Sequence, residues 1–134
     1  MKSPAQEIAE ILTQSQFALS LTLWSNLFID VLPEAPDLCV AIYNSPGITP
    51  PIISGNIVYE LPGVQVIVRG ERGLGGEAYT LAHNIKVALH KLVDESVGST
   101  KYIQILLNGD IISLGFDGLQ RPLYDLNFNC QRTY

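Results

Sequence analysis

Residues 62–92 read PGVQVIVRGERGLGGEAYTLAHNIKVALHKL, and this stretch decides the fold. In residues 63–69, Val64, Val66 and Val68 alternate with Gln65, Ile67 and Arg69. Alternation in a β-branched run predicts a strand. Gly70, Gly73, Gly75 and Gly76 then break the period. Beyond them Ala78, Leu81, Ala82, Ile85, Ala88, Leu89 and Leu92 recur at three- and four-residue steps. That spacing is one apolar face of a helix of about four turns. The unit is a strand feeding, through a short flexible loop, into a helix that packs back onto its own sheet. No residue in it is an obvious catalyst, which points to an architectural chain.

The rest of the chain supplies more strands and one more helix. Ser3-Pro4-Ala5-Gln6 has the pattern of a helix start, with Ser3 as cap, Pro4 at the first helical position and Gln6 completing a capping box. Ala5, Ile8, Ala9, Ile11 and Leu12 give its buried face, and it should fade over residues 13–16. An irregular connection over residues 17–24 enters a strand near 26–31, which Pro33 and Pro36 end. LCVAIY at 38–43 is continuously apolar, as in a strand covered on both faces. Residues 94–101 are a polar linker, followed by strands at 102–107, 111–116 and 123–130. Asn108-Gly109 carries a hairpin signal and Asp117-Gly118 a second turn. The predicted class is α+β: a mainly antiparallel mixed sheet with two helices on one face, in the order α-β-β-β-α-β-β-β.

Residues 44–60 form a long segment with Pro46, Gly47, Pro50, Pro51 and Gly55. Loops of this length are functional or disordered, and disordered ones are polar. This one carries Ile48, Ile52, Ile53, Ile57, Val58 and Tyr59. Such residues either fold over their own core or enter a partner.

The chain has 134 residues, 47% apolar and 16% charged, with net charge −5. That is the size of one domain with a generous core, 1–134. The eight bases are scattered, so there is no basic stripe to neutralise phosphates, and direct nucleic-acid binding is disfavoured. Cys39 and Cys130 show neither a CxxC motif nor metal spacing, and are expected to be reduced, buried thiols in a protein made in a reducing compartment. No apolar run is long enough for a membrane span, and no signal pattern opens the chain; a soluble protein is expected.

The sequence carries no catalytic constellation. Residues 70–76 lie where phosphate loops lie, but they lack the Lys-Ser/Thr and GxGxxG registers, and Glu71 and Glu77 would repel phosphate. His83 and His90 read as helix-surface residues without a triad or ligand neighbour. Asp110 and Asp117 are explained by turn chemistry. The expectation is no enzyme, no cofactor and no metal. Arg69, beside Glu71 and Arg72, reads from the residues alone as a solvated strand end, worth at most about 1 kcal/mol in an exposed ion pair.

The order and spacing of several pieces resemble one family, the minor capsid or tail terminator proteins of long-tailed bacteriophages. The pieces are Ser3-Pro4-Ala5 with Ile8-Ala9; Asn26-Leu27-Phe28 and Leu32-Pro33; Cys39 to Tyr43; the strand Val64 to Arg69; Ala78-Tyr79, Ala82, Ile85 and Leu89; and Leu114-Gly115, Asp117 and Leu126-Asn127-Phe128. The resemblance implies a ring, typically a hexamer, that closes the head-proximal end of the tail tube and faces the head connector. It implies a virion protein assembled in the bacterial cytoplasm, with copies of itself, the tail tube protein and a head connector or completion protein as partners. DNA would pass through the ring without specific binding, and no membrane is involved. Interface residues expected on this reading are Ile52, Ile53, Arg69, Glu71, Arg72, Asp117 and Arg121. Another neck protein, such as a head- or tail-completion factor, or a small ligand-binding or enzymatic module, are the competing classes.

Overall fold

A computed structural model describes residues 2–133 except 51, 54, 55, 58 and 74, with the backbone alone described at residues 52, 53, 56 and 57. Helix α1, Pro4–Leu12, begins as the sequence predicts. The Ser3 hydroxyl accepts from the Gln6 amide at 3.3 Å, and the Gln6 side chain accepts from the Ser3 amide at 2.8 Å. This satisfies two of the amides that a helix start leaves without partners. After a short 3-10 turn at Ser15–Phe17 come strands β1, Leu27–Ile29, and β2, Cys39–Ile48. Strands β3, Ile52–Ile53, and β4, Asn56–Ile57, pair with each other. Strand β5, Leu61–Arg69, leads into helix α2, Gly75–Leu89. Strands β6, Leu92–Val97, β7, Thr100–Leu107, β8, Ile112–Phe116, and β9, Pro122–Thr133, complete the chain.

The large sheet has seven strands in the order β1-β2-β5-β9-β7-β6, with β8 also paired to β9. β1 pairs with β2 in parallel and the other pairs are antiparallel. Val40, Val68 and Tyr124 lie in one cross-strand row, and Ile42, Val66 and Leu126 in the next. These rows face both helices. Ala5, Ile8, Ile11 and Leu12 of α1 and Ala78, Ala82, Ile85 and Leu89 of α2 complete one buried cluster with them. Each large aliphatic side chain buried this way contributes about 2 kcal/mol over an exposed one. The class and order expected from sequence hold, and the two helices share one face of the sheet.

Three local expectations give way to the structure. The polar stretch 94–101 is not a linker: β6 and β7 form a hairpin across it, with Val97 opposite Thr100. β6 is an edge strand with Val93, Asp94 and Ser96 exposed, and edges carry polar residues that hide the strand signal. Asn108-Gly109 does not make a β7–β8 hairpin. β7 and β8 lie end to end along the same edge of β9, with Leu107 opposite Phe128 and Ile112 opposite Asp125. The Asn108 amide still donates to the Asn127 carbonyl at 2.7 Å, and Gly109, at φ 81°, lets the intervening residues bulge out rather than reverse the chain. Finally, much of 44–60 is not loop. β2 continues to Ile48, and β3 with β4 forms a small hairpin, so the stretch is an arm extending from one end of the sheet.

Two glycines set the base of that arm. The register between β2 and β5 shifts between Ser45 and Ile48. A Cβ on Gly47 would stand 2.0 Å from the Leu61 carbonyl oxygen, and one on Gly63 would stand 2.6 Å from the Pro46 carbonyl oxygen. Backbone meets backbone here, so there is no flexible side chain to yield. Gly76, by contrast, lies in α2 with nothing within 4 Å of a Cβ. Alanine at Gly47 or Gly63 is therefore expected to lower the thermal unfolding midpoint by several degrees, whereas alanine at Gly76 should raise stability by up to about 1 kcal/mol. Equal midpoints for the three variants in calorimetry would show that the arm does not depend on this close approach.

Candidate assembly surfaces

At the end of the sheet where β2 begins and β5 ends, Cys39, Arg69 and Leu123 form the outermost cross-strand row. Arg69 is not solvated there; it is only 2% exposed. Its Nε donates to the Asp37 carbonyl at 3.1 Å and its Nη2 to the Pro36 carbonyl at 2.7 Å. Arg121, also buried, holds the same loop from the other side. Its Nη1 donates to the Glu34 carbonyl at 2.6 Å and to Asp37 Oδ1 at 3.3 Å, and its Nε donates to Asp117 Oδ2 at 2.8 Å. A planar fork of donors suits this task, because it reaches several oxygens from one rigid group.

Asp117 is the pivot of the β8–β9 turn. Its carboxylate accepts from the Leu119 and Arg121 amides, each at 2.9 Å, and from the Arg121 guanidinium. The Arg121 amide first of all, helped by the guanidinium and the Leu119 amide, holds its pKa below the ordinary 3.8 against the opposing effect of desolvation. Burial alone would lower the pKa of Arg121, but its hydrogen bonds to Asp117 and Asp37 outweigh this and raise it.

The sequence-expected residues Arg69, Asp117 and Arg121 thus converge on one loop. Glu71 and Arg72 lie exposed beside them: the Gly70 amide donates to the Pro122 carbonyl at 2.9 Å and the Gly73 amide to the Gln120 carbonyl at 3.0 Å. Ile52 and Ile53 lie apart, in the arm hairpin beyond the opposite end of the sheet. Their side chains lie outside the described residues.

Sequence reasoning missed a second cluster at the base of the arm. Arg132 is buried, its Nε donating to Glu60 Oε2 at 2.8 Å and its Nη1 to Glu7 Oε1. The Tyr102 hydroxyl donates to the same Glu7 oxygen at 3.0 Å. Glu60 and Arg132 also exchange two backbone hydrogen bonds. Burial would lower the pKa of Arg132, but the hydrogen bond to Glu60, the neighbouring charges and the hydrogen bond to Glu7 raise it. Desolvation, followed by the Glu7 charge, raises the pKa of Tyr102. Glu7 and Arg132 are 125 residues apart, and no local pattern could have joined them.

Other chemistry-bearing residues have structural explanations. His90 lies just past α2, and its Nδ1 accepts from the Leu107 amide at 2.9 Å; it is a tie to β7 rather than a helix-surface residue. His83 is exposed. Both cysteines are free and buried, and burial pushes the Cys130 thiol up to about 12. Among the described residues no three His, Cys, Asp or Glu side chains are grouped to hold a metal ion, and no helix is long and apolar enough to cross a membrane. The cations are largely committed within the chain. Lys2, Lys86 and Lys101 pair with Glu10, Asp110 and Asp94, and the three arginines above are engaged. Among the described residues, that leaves Arg72 and Lys91 exposed and without a partner.

The chain is a curled α+β sheet with both helices on one face, and its conspicuous polar groups fix loops and strands. Residues 13–134 match the family described as bacteriophage tail terminator protein, and the chain belongs to that family. It is a structural protein of the phage tail. The fold is shared with a chain from the virion of a native gene transfer agent particle. That match has a TM-score of 0.69 at 12% identity and covers 97% of this chain and 94% of the other. No curated protein matches the sequence.

The lowered pKa of Asp117 fixes the sign of an acid effect. A carboxyl whose folded pKa lies below its unfolded value stabilises the fold above the ordinary 3.8, and that stability is lost as pH falls through the folded value. Asp117→Asn is expected to lower the unfolding midpoint at pH 7 and to flatten its decline below pH 4. A variant whose midpoint declines in acid as steeply as the wild type would remove Asp117 from this account.

Proposed function

We propose that this chain forms a ring of six copies that closes the head-proximal end of the tail tube and joins the tail to the head. The observation that carries the reading is membership of the tail terminator family over residues 13–134. A physical requirement supports it. A tube that grows by stacking rings presents the same open surface after every addition, and a head-to-tail interface that does not close grows without limit. A terminator must bind that surface and offer no copy of it, so it needs two unlike ends. This chain has an arm hairpin at one end of its sheet and an arginine-clamped loop between β1 and β2 at the other.

Its partners on this reading are copies of itself, the tail tube protein and a head connector or completion protein, met in the bacterial cytoplasm during assembly. DNA passes through the ring without being held. The charge pattern suits that passage, because most cations are committed within the fold and the net charge is −5. No catalytic role is assigned.

The test is to add the purified chain to tube protein during polymerisation and image the products. Tubes of limited length with extra density at one end are expected. Tubes as long as those grown without it, with bare ends, would leave a head- or tail-completion role instead. The arm gives a second test. Ile53→Asp is expected to keep the circular dichroism of the wild type while lowering the fraction of rings or capped tubes. An unfolded spectrum would assign Ile53 to the core and withdraw it from the interface.

A further inference from the structure

Among the described residues, a groove and an apolar projection lie on opposite flanks of α2. The groove holds about 480 Å3 and is walled by Leu19, Leu21, Leu38 and Leu81, with Glu77 and Asn84 from α2 on its lining. The projection is the end of β8 and the turn after it, where Phe116 is 60% and Leu119 53% exposed. The turn is stiff, because Asp117 accepts three hydrogen bonds within it and Arg121 ties it to the Glu34 carbonyl. A stiff apolar projection loses little conformational freedom on docking.

The projection cannot enter the groove of its own chain. Both lie at the same end of the sheet, but the groove sits over the start of β2 while β8 lies beyond β9, three strand spacings or about 14 Å away. α2 stands between them. Its β9 flank carries Tyr79, packed edge-on against Tyr124 at 5.5 Å, and its other flank carries Glu77, Leu81 and Asn84. The charges follow the same division. Arg72, exposed and unpartnered, is next to Gly73, whose amide is bonded to the turn at Gln120. Glu77, exposed and without an ion-pair partner among the described residues, lines the groove.

We propose that neighbouring copies of this chain join by seating the β8–β9 turn of one copy, led by Leu119 and Phe116, in the α2 groove of the next, with Arg72 of the first copy meeting Glu77 of the second. The inference rests on the ring reading above and names its contact. Unlike patches on opposite flanks make a heterologous interface, which closes into a ring when the rotation between copies allows. The apolar centre supplies affinity, and the charge pair at the rim supplies register.

The test compares assembled mass by light scattering for the wild type, Arg72→Glu, Glu77→Arg, the double swap and Leu119→Glu, with circular dichroism to verify folding. Each single variant is expected to weaken ring formation about tenfold or more, and the double swap to recover most of the loss. A second measurement mixes Leu119→Glu with Thr80→Trp, a variant that fills the groove. Each keeps one good patch, so the mixture is expected to form dimers that neither forms alone. Wild-type rings from Leu119→Glu, or a double swap no better than the single ones, would overturn the interface while leaving the ring. A wild type that stays monomeric with and without tube ends would overturn the ring reading and this contact together.

Discussion

The structure depends on the two-sided pairing of β9. One edge takes β5 along residues 123–129, and the other takes β7 and then β8 in line. No other strand in the large sheet pairs with three partners among the described residues. The arginines that organise both ends are placed by this strand. Arg121 immediately precedes it and reaches the loop at Glu34, while Arg132, near its far end, reaches Glu7 and Glu60. A change in register between β9 and β5 would move both clamps at once, because successive residues point to opposite faces.

The clamps matter for geometry more than for net free energy. Taking a guanidinium and a carboxylate out of water costs nearly as much as their attraction returns, so a buried pair adds little to stability while its half-removal is costly. What Arg132 adds is that α1, β7 and the base of the arm have one mutual arrangement, through Glu7, Tyr102 and Glu60. What Arg69 and Arg121 add is a fixed path for the loop between β1 and β2. On the proposed ring reading, such rigidity holds the contacts between copies in one geometry.

Much of the fold was legible because it rests on local periodicity. The alternating valines of β5, the three- and four-residue spacing in α2 and the capping box of α1 are readable in any short window. The failures share one cause, which is that a distant partner decides. β6 has the composition of a linker and becomes a strand because β7 offers it an edge. Asn108-Gly109 has the chemistry of a reversal and becomes a bulge because β9 continues past it. Arg69 has the look of an exposed strand end and is buried because the Pro36–Asp37 carbonyls close over it. Of the residues expected at an interface, Arg69, Asp117 and Arg121 gather at one end of the sheet. The exposure of Phe116 and Leu119 was not legible, since nothing local tells an exposed apolar residue from a buried one.

The placement of β9 also dictates when the fold can exist. β5 receives its second neighbour from a strand made long after it, and Glu7 waits for Arg132 across a sequence separation of 125. Contacts of such sequence separation are slow to form, because their loop-closure entropy must be met before they repay it. A nascent chain on the ribosome therefore holds β5 with one bare edge and α1 without its anchor until synthesis is nearly done. The fold is complete only once β9 has been made, and an unfinished chain lacks the arrangement on which the proposed assembly rests.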